Sequence, residues 1–250
     1  MPKFFIEKNN ILNGRTCVTG GDAAHIAKVL RLTKGCVLTL CDGEGTDYSA
    51  VITRLAKNEV QFDITDSRPC LAEPALSVTL FQGLPKQGKM DFIIEKCTEL
   101  GISRIVPVSA RRCVAAVRDA KAEEKKLARW RKIAAEAVKQ CGRGIVPEVT
   151  GVMTLGEAIS VAKSLDLNVA AYENERDLPL KSALLAAHGK MDPKSAGIFI
   201  GPEGGFEPEE IEAFRAAGIP AVTLGRRILR TETAGCAVLT AVMYEFGELS

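Results

Sequence analysis

Two short apolar runs, residues 198–200 and 221–224, each end at a glycine, Gly201 or Gly225, and open into a loop ahead of a helical pattern. A repeated strand, glycine loop and helix restricts a chain to the α/β folds. Parallel strands cannot be joined by a hairpin, so each pair needs a crossover, usually a helix. The alternation extends upstream. Residues 76–84 are apolar enough to be buried on both faces of a sheet. A helix is predicted over 89–100, closed by Gly101, and residues 105–108 read as the next strand. Helices near 155–164 and 180–188 bracket a strand at 167–172, and 197–200 is the strand that enters the first glycine loop. Glu207, Glu209 and Glu210 stand in the first turn of another helix, where the helix dipole favours acids. The last helix, about 233–246, is apolar on almost every side and must be buried, in the core or against a second subunit.

Residues 1–72 read as a separate, β-rich module. Candidate strands are 4–6, 16–19, 37–41, 47–55 and 59–65, with a turn at Asp42-Gly-Glu-Gly45. Ala23, Ile26, Ala27 and Leu30 recur at helical spacing on one short helix that also carries His25, Lys28 and Arg31. A lone histidine such as His25 reads as a surface or core residue. Pro69 and Pro74 frame a linker, so the chain of 250 residues divides into domains 1–72 and 74–250.

Composition excludes several classes. No apolar run reaches the roughly 18 residues of a membrane span, and the amino-terminal segment turns charged too soon for a secretory signal. Eight cysteines, none in Cys-x-x-Cys spacing, and two histidines offer no metal cluster, so no metal is expected. Without an export signal the cysteines read as reduced thiols of a cytoplasmic protein. The formal net charge is only +2, so a nucleic-acid partner must be argued from local charge.

Local charge is strongest between Arg111 and Arg143, where eleven Lys or Arg stand against four Asp or Glu. On a helix over 122–141, Leu127, Trp130, Ala134, Ala137 and Val138 share one side, and Lys125, Arg129, Lys132 and Lys139 the other. That stripe reads either as a solvated face or as a phosphate-binding surface that works by releasing counterions. Cys141 falls where packing is expected.

In open α/β sheets ligands sit outside the carboxyl ends of the strands, where both glycine loops lie. Gly201-Pro-Glu-Gly-Gly205 is neither a dinucleotide fingerprint nor a P-loop. Arg226, Arg227, Arg230 and Glu232 crowd the second loop, at the mouth of an apolar helix. Charges there need partners, and Arg230 with Glu232 is a natural pair, serving either the chemistry or the locking of the loops.

Several separate motifs resemble the RsmE family, bacterial enzymes of the SPOUT class that methylate N3 of a uridine in 16S rRNA. They are Gly201-Pro-Glu-Gly-Gly-Phe206 with Glu210-Ile211, and Leu224-Gly225 with Ile228-Leu-Arg-Thr-Glu-Thr-Ala234. Lys96 with Glu99-Leu-Gly101, Trp130 with Lys132-Ile133, and Lys139-Gln-Cys-Gly-Arg143 with Val146-Pro147 add to them. His25 and Val29-Leu-Arg31 look like the amino-terminal signature, and Cys113 departs from a serine common in the family. The resemblance covers nearly the whole chain.

It implies a PUA-like β-barrel over 1–72 that holds RNA, and an α/β trefoil-knot methyltransferase domain over 74–250. It further implies S-adenosyl-L-methionine as cofactor, a homodimer, and 16S rRNA in the small ribosomal subunit as partner. The cofactor residues it implies are Tyr172, Gly201, Pro202, Gly204, Gly205, Leu224, Gly225, Ile228, Leu229 and Thr231. Methyl transfer needs positioning, and a uridine N3 needs to lose its proton. The catalytic expectation is Arg230, stabilising charge on the uracil carbonyls, with Glu232 or Glu203 taking the proton or orienting Arg230. For RNA the expectation is Lys28, Arg31, Lys89, Arg112, Gln140 and Arg143. Another RNA position as target, or RNA binding without catalysis, are the alternative functions.

Overall fold

A computed structural model describes residues 3–86, 88–113, 120–189 and 192–249, with side chains resuming at 121 after the second break. Backbone packing divides the chain into two units. One comprises Met1–Glu73 with Glu136–Val146, and the other Pro74–Ala135 with Pro147–Ser250. The segment 136–146, which the sequence placed wholly in the second domain, therefore packs with the first.

In the first unit, β1 (Lys3–Phe5) and β2 (Arg15–Thr19) precede a short helix α1 (Gly20–Ala24) that continues as a wider turn over His25–Val29. Strands β3 (Val37–Cys41), β4 (Thr46–Leu55) and β5 (Glu59–Pro69) follow. The sheet order is β1-β3-β4-β5-β2, with β1 parallel to β3 and the other pairs antiparallel. Alternating positions point inward, as a half-buried strand requires: Leu38 and Leu40, Ala50 and Ile52, Val60 and Phe62. Ala23 and Ile26 from the helical segment close this core. His25 is exposed, its ring edge-on to Phe4 at 5.8 Å.

Glu73 explains why 136–146 joins this unit. Its carboxylate accepts the amides of Gly144 and Ile145 at 2.6 and 2.9 Å and pairs with the Arg143 guanidinium at 2.8 Å. Arg143 is only 4% exposed. The expected RNA contact from Arg143 is thus replaced by an internal one. A basic side chain just past a helix reads as a surface charge until its half-buried acidic partner, here seventy residues away in sequence, is seen.

The second unit is the expected strand and helix alternation. Strand β6 (Ser77–Gly83) leads to helix α2 (Lys89–Glu99), β7 (Arg104–Ser109) and the long helix α3 (Ala120–Cys141), whose last residues belong to the first unit. Next come β8 (Glu148–Val149), β9 (Met153–Thr154), α4 (Leu155–Ala162), β10 (Leu167–Ala171) and α5 (Leu180–His188). The chain ends with β11 (Ser195–Ile200), α6 (Pro208–Ala216), β12 (Ala221–Val222) and α7 (Thr231–Glu245). All strands are parallel, in the order β12-β10-β11-β6-β7-β8, with β9 also on β7. Strand β6 is central and buried from Val78 to Gly83, as its apolar run requires. Phe81 stacks on Phe199 at 4.3 Å, and Phe214 meets Phe199 and Phe206 edge-on at 4.7 and 5.1 Å, which seats α6 on the sheet.

Local signals set several boundaries. Thr154 and Glu157 form a capping box at α4, and Glu207 with Glu210 forms another at α6, with Pro208 in its first turn. Helix α7 starts at Thr231, two residues before the expected start, because Arg230 serves as its N-cap residue and its carbonyl accepts the amides of Thr233 and Ala234. Strands β8 and β9 are too short for periodicity to reveal. On α7, Ala234, Val238, Leu239, Val242 and Met243 are buried, while Thr233, Ala237, Thr240 and Tyr244 form an exposed stripe. Among the described residues no helix is long and apolar enough to cross a membrane.

Candidate active site

Three loops at the carboxyl ends of β10, β11 and β12 meet around a cavity of about 630 Å³. That volume lies within the roughly 300–1,000 Å³ of small-molecule sites. Every residue expected to hold a cofactor lines it: Tyr172, Gly201, Pro202, Gly204, Gly205, Leu224, Gly225, Ile228, Leu229 and Thr231. So do Arg230 and Glu203.

The walls follow from the backbone. Gly205 has φ of +69°, a conformation that favours glycine, and a Cβ there would meet the Glu173 carboxylate, which would have to shift. Gly225 has φ of +101° with open space around it. Beneath the loops the Thr231 hydroxyl donates to the Gly201 carbonyl at 2.7 Å, tying the start of α7 to the loop after β11.

Charge in the cavity is mostly positive. Lys89, Arg176, Arg226, Arg227 and Arg230 line it against Glu173 and Glu203. The expected pair of Arg230 with Glu232 is not formed. Glu232 pairs instead with Lys89, Nζ to Oε2 3.2 Å, and Lys89 also pairs with Glu203 at 3.0 Å. The Glu232 contact is an ion pair by distance, but its angles make no hydrogen bond, so Oε2 is buried without one. The Arg230 side chain is exposed and makes no hydrogen bond or ion pair with the described residues. Helix α2 supplies a cation at its first residue, which meets Glu232 in the first turn of α7 before Arg230 can.

Glu203 and Lys89 each favour the other's charged form. Burial pushes the Glu203 carboxyl up, but its own amide, the Lys89 ammonium and the Lys86 amide outweigh it and hold the group below the usual carboxylate range. The hydrogen bond to Glu203 raises Lys89 above the usual lysine range, against its partial desolvation and with help from Glu232. A carboxylate so held is a weak base.

The expected RNA residues fall in several places. Lys89 is in the cavity. Arg112 is engaged at its edge, donating to both Glu207 carboxylate oxygens at 2.8 Å and to the Gly204 carbonyl at 2.6 Å. The bidentate bond to Glu207 raises the Arg112 guanidinium's affinity for its proton and lowers the Glu207 carboxyl. Lys28, Arg31 and Gln140 are exposed in the first unit. Arg31 has φ of +52°, rare for a side-chain-bearing residue. On α3, Trp130, Ala134, Ala137 and Val138 are buried, and Lys125, Lys126, Arg129 and Lys132 are exposed, Arg129 paired with Asp91. Lys139 of the expected stripe is half-buried beside Asp22 and Glu136. The half-buried Cys141 thiol faces the Val138 carbonyl at 3.7 Å.

Sequence reasoning missed Glu173 and Arg176 in the lining and Gln82 beneath it. The first two stand one and four residues after Tyr172, in the loop at the carboxyl end of a strand, and that position was the available signal. Gln82 carried no signal beyond being a polar residue in a doubly buried strand.

Comparison with known proteins agrees with this geometry. Residues 72–243 match the RNA methyltransferase domain family, and residues 18–65 match the RNA methyltransferase PUA domain family. The chain is 34% identical over 250 residues to ribosomal RNA small subunit methyltransferase E of Bacillus subtilis, covering 98% of this chain and 97% of that protein. The homologue from Synechocystis is 32% identical, with 96% and 76% covered. Among solved structures, the Neisseria gonorrhoeae ribosomal RNA small subunit methyltransferase E bound to S-adenosyl methionine superposes with a TM-score of 0.80 at 33% identity, covering 98% and 97%. A Legionella pneumophila putative methyltransferase with bound cofactor superposes with a TM-score of 0.79 at 28% identity, covering 97% and 96%. With a matching PUA segment, a matching catalytic domain and full-length relatives, the chain belongs to the ribosomal RNA small subunit methyltransferase E family.

Proposed function

We propose that this protein transfers a methyl group from S-adenosyl-L-methionine to N3 of a uridine in the RNA of the small ribosomal subunit, acting in the cytoplasm as a homodimer. The observation that carries the reading is the convergence of three strand-end loops on one cavity that all ten expected cofactor residues line. The residues fit such a ligand: glycine backbone admits close approach, Leu224, Ile228 and Leu229 offer apolar surface, and several cations stand free. When bound, the cofactor supplies an electrophilic methyl group.

The chain's own residues supply position and charge. Backbone at 201–205 and 224–229 orients the donor, and orientation accounts for much of the rate in a displacement reaction. Arg230, with no partner among the described residues, stabilises the negative charge that develops on the uracil carbonyls as N3 loses its proton. Of the two candidate acids, Glu203 already accepts the Lys86 amide and the Lys89 ammonium and is held ionised. Glu232, held by the Lys89 ammonium alone among the described residues, is the other candidate acceptor for the N3 proton. Lys28, Arg31 and Gln140 in the first unit, with the exposed cations of α3, carry the RNA. The exposed stripe of Thr233, Ala237, Thr240 and Tyr244 on α7 is the surface offered to a second subunit.

Two measurements test the reading. Calorimetric titration with S-adenosylmethionine should show one saturable site per subunit. Small ribosomal subunits from a strain lacking the modification should then gain a methyl group that mass spectrometry of the nucleosides places on uridine N3. A folded protein that binds no S-adenosylmethionine removes the reading, and a methyl group at another base or a ribose corrects its target.

A further inference from the structure

We propose that Gln82 is a positioning residue for the methyl-transfer site, acting through Thr231 on the loop at Gly201 and on the backbone that carries Arg230. The proposal rests on the cofactor reading of the cavity and adds a residue that does not line it.

Gln82 lies near the carboxyl end of the central strand β6 and is fully buried. Its Nε2 donates to the Gly83 carbonyl at 3.0 Å and to the Thr231 hydroxyl at 2.8 Å. The Thr231 hydroxyl donates onward to the Gly201 carbonyl at 2.7 Å. A backbone carbonyl only accepts, so Gly83 fixes which end of the amide faces this way. The Thr231 oxygen must then receive from Gln82 and give to Gly201. The result is a one-way chain from β6, through the first residue of α7, to the loop after β11. Its members are 149 and 30 residues apart in sequence.

The two residues beyond Gln82 are cavity wall: Thr231 and Gly201 line it, and Arg230 immediately precedes Thr231 as the N-cap residue of α7. Fixing the Thr231 hydroxyl fixes where α7 begins, and with it the direction in which Arg230 leaves the backbone.

Packing alone does not account for this amide. Gln82 Oε1 is buried without a hydrogen bond, and a partly satisfied polar group in a core is worse for stability than an apolar side chain of the same size. Met or Leu would fill the place at lower cost, so the side chain serves the arrangement of the site rather than the stability of the strand.

The test titrates wild-type protein, Gln82→Met, Thr231→Val and the double variant with S-adenosylmethionine, and measures kcat and RNA KM on unmethylated small subunits. Gln82→Met keeps length and volume but cannot donate. We expect its cofactor affinity to fall about tenfold, the order of one lost hydrogen bond, with kcat lowered and RNA KM unchanged. Thr231→Val breaks the same chain, so the double variant should be no worse than the weaker of the two singles. Wild-type affinity and kcat in Gln82→Met, or losses that add in the double variant, would overturn the inference. Should Gln82→Met fail to fold, Gln82→Glu replaces it. A carboxyl donates to Thr231 only when protonated, and burial favours that form. Its affinity should fall as pH rises, relative to wild type, and a ratio that ignores pH would also overturn the inference. Folded wild-type protein that binds no S-adenosylmethionine removes the cofactor reading and this inference together, whereas normal binding by both wild type and Gln82→Met removes the inference alone.

Discussion

Lys89 and Glu232 pair across the first turns of α2 and α7, Nζ to Oε2 3.2 Å, and the same ammonium reaches Glu203 at 3.0 Å. One cation thus serves two carboxylates, one on the loop after β11 and one on α7, and its pH behaviour follows. Glu203 is held below the usual carboxylate range, so its contribution is present above the unfolded pKa and lost as pH falls through the folded one. Lys89 is raised, so its contribution is present below the usual lysine pKa and lost as pH rises through the folded one. Melting curves should show Lys89→Met less stable than wild type through the neutral range, with the gap closing in acid and again in strong alkali. A gap that does not change with pH would show that the lost stability is packing and not charge.

Arg230→Ala should separate binding from chemistry. Its side chain has no partner among the described residues, so its loss should leave melting temperature and cofactor affinity near wild type. Removal of a charge stabiliser costs about 10²–10³ in kcat. Single-turnover methyl transfer checks this, and full turnover by the variant would return Arg230 to a surface role.

Gly205 and Gly225 both have positive φ but predict different outcomes. An alanine at Gly225 meets open space and pays only backbone strain, of order 1–3 kcal/mol. At Gly205 the same strain is joined by collision with Glu173. Gly205→Ala should therefore lose more melting temperature and more S-adenosylmethionine affinity than Gly225→Ala. Equal losses in calorimetry would mean the Glu173 side chain simply moves aside.

Arg143 and Arg31 should behave as opposites. Arg143→Ala leaves the half-buried Glu73 carboxylate with only the Gly144 and Ile145 amides, and should cost stability, though less than the ~3–5 kcal/mol of breaking a fully buried pair. Arg31→Ala should leave thermal stability near wild type but weaken RNA binding, and reduce the slope of log affinity against log salt by about one. If Arg143→Ala melts like wild type, Glu73 finds its donors elsewhere.

The strand and helix order of the second unit was legible because 2.0 and 3.6 periodicities survive in single sequences, and glycine marks the strand ends. The place of the cavity was legible for the same reason: Gly201 and Gly225 sit at strand ends of a parallel sheet, where ligands bind, while its individual lining residues came from the family resemblance. Side-chain partners were not. Arg230 and Glu232 are two residues apart, but Lys89, far off in the chain, takes the carboxylate. Arg143 looked like a phosphate ligand because Glu73 is local to it only in space. Gln82 was invisible because a buried amide shows its purpose only through the atoms it meets. Pairings across long sequence separations depend on packing that pattern reading does not contain.

Helix α3 begins in one unit and ends in the other, and this bears on how such a protein can be cut or recombined. A fragment starting at Pro74 would carry Arg143 and the amides of Gly144 and Ile145 without the carboxylate that neutralises them, while one ending at Glu73 would keep that carboxylate with nothing to receive. Neither half is a portable cassette. A chimera that exchanges the amino-terminal portion between relatives must also exchange the eleven residues Glu136–Val146, so inheritance of the two parts is coupled through a stretch that sits in the middle of the gene.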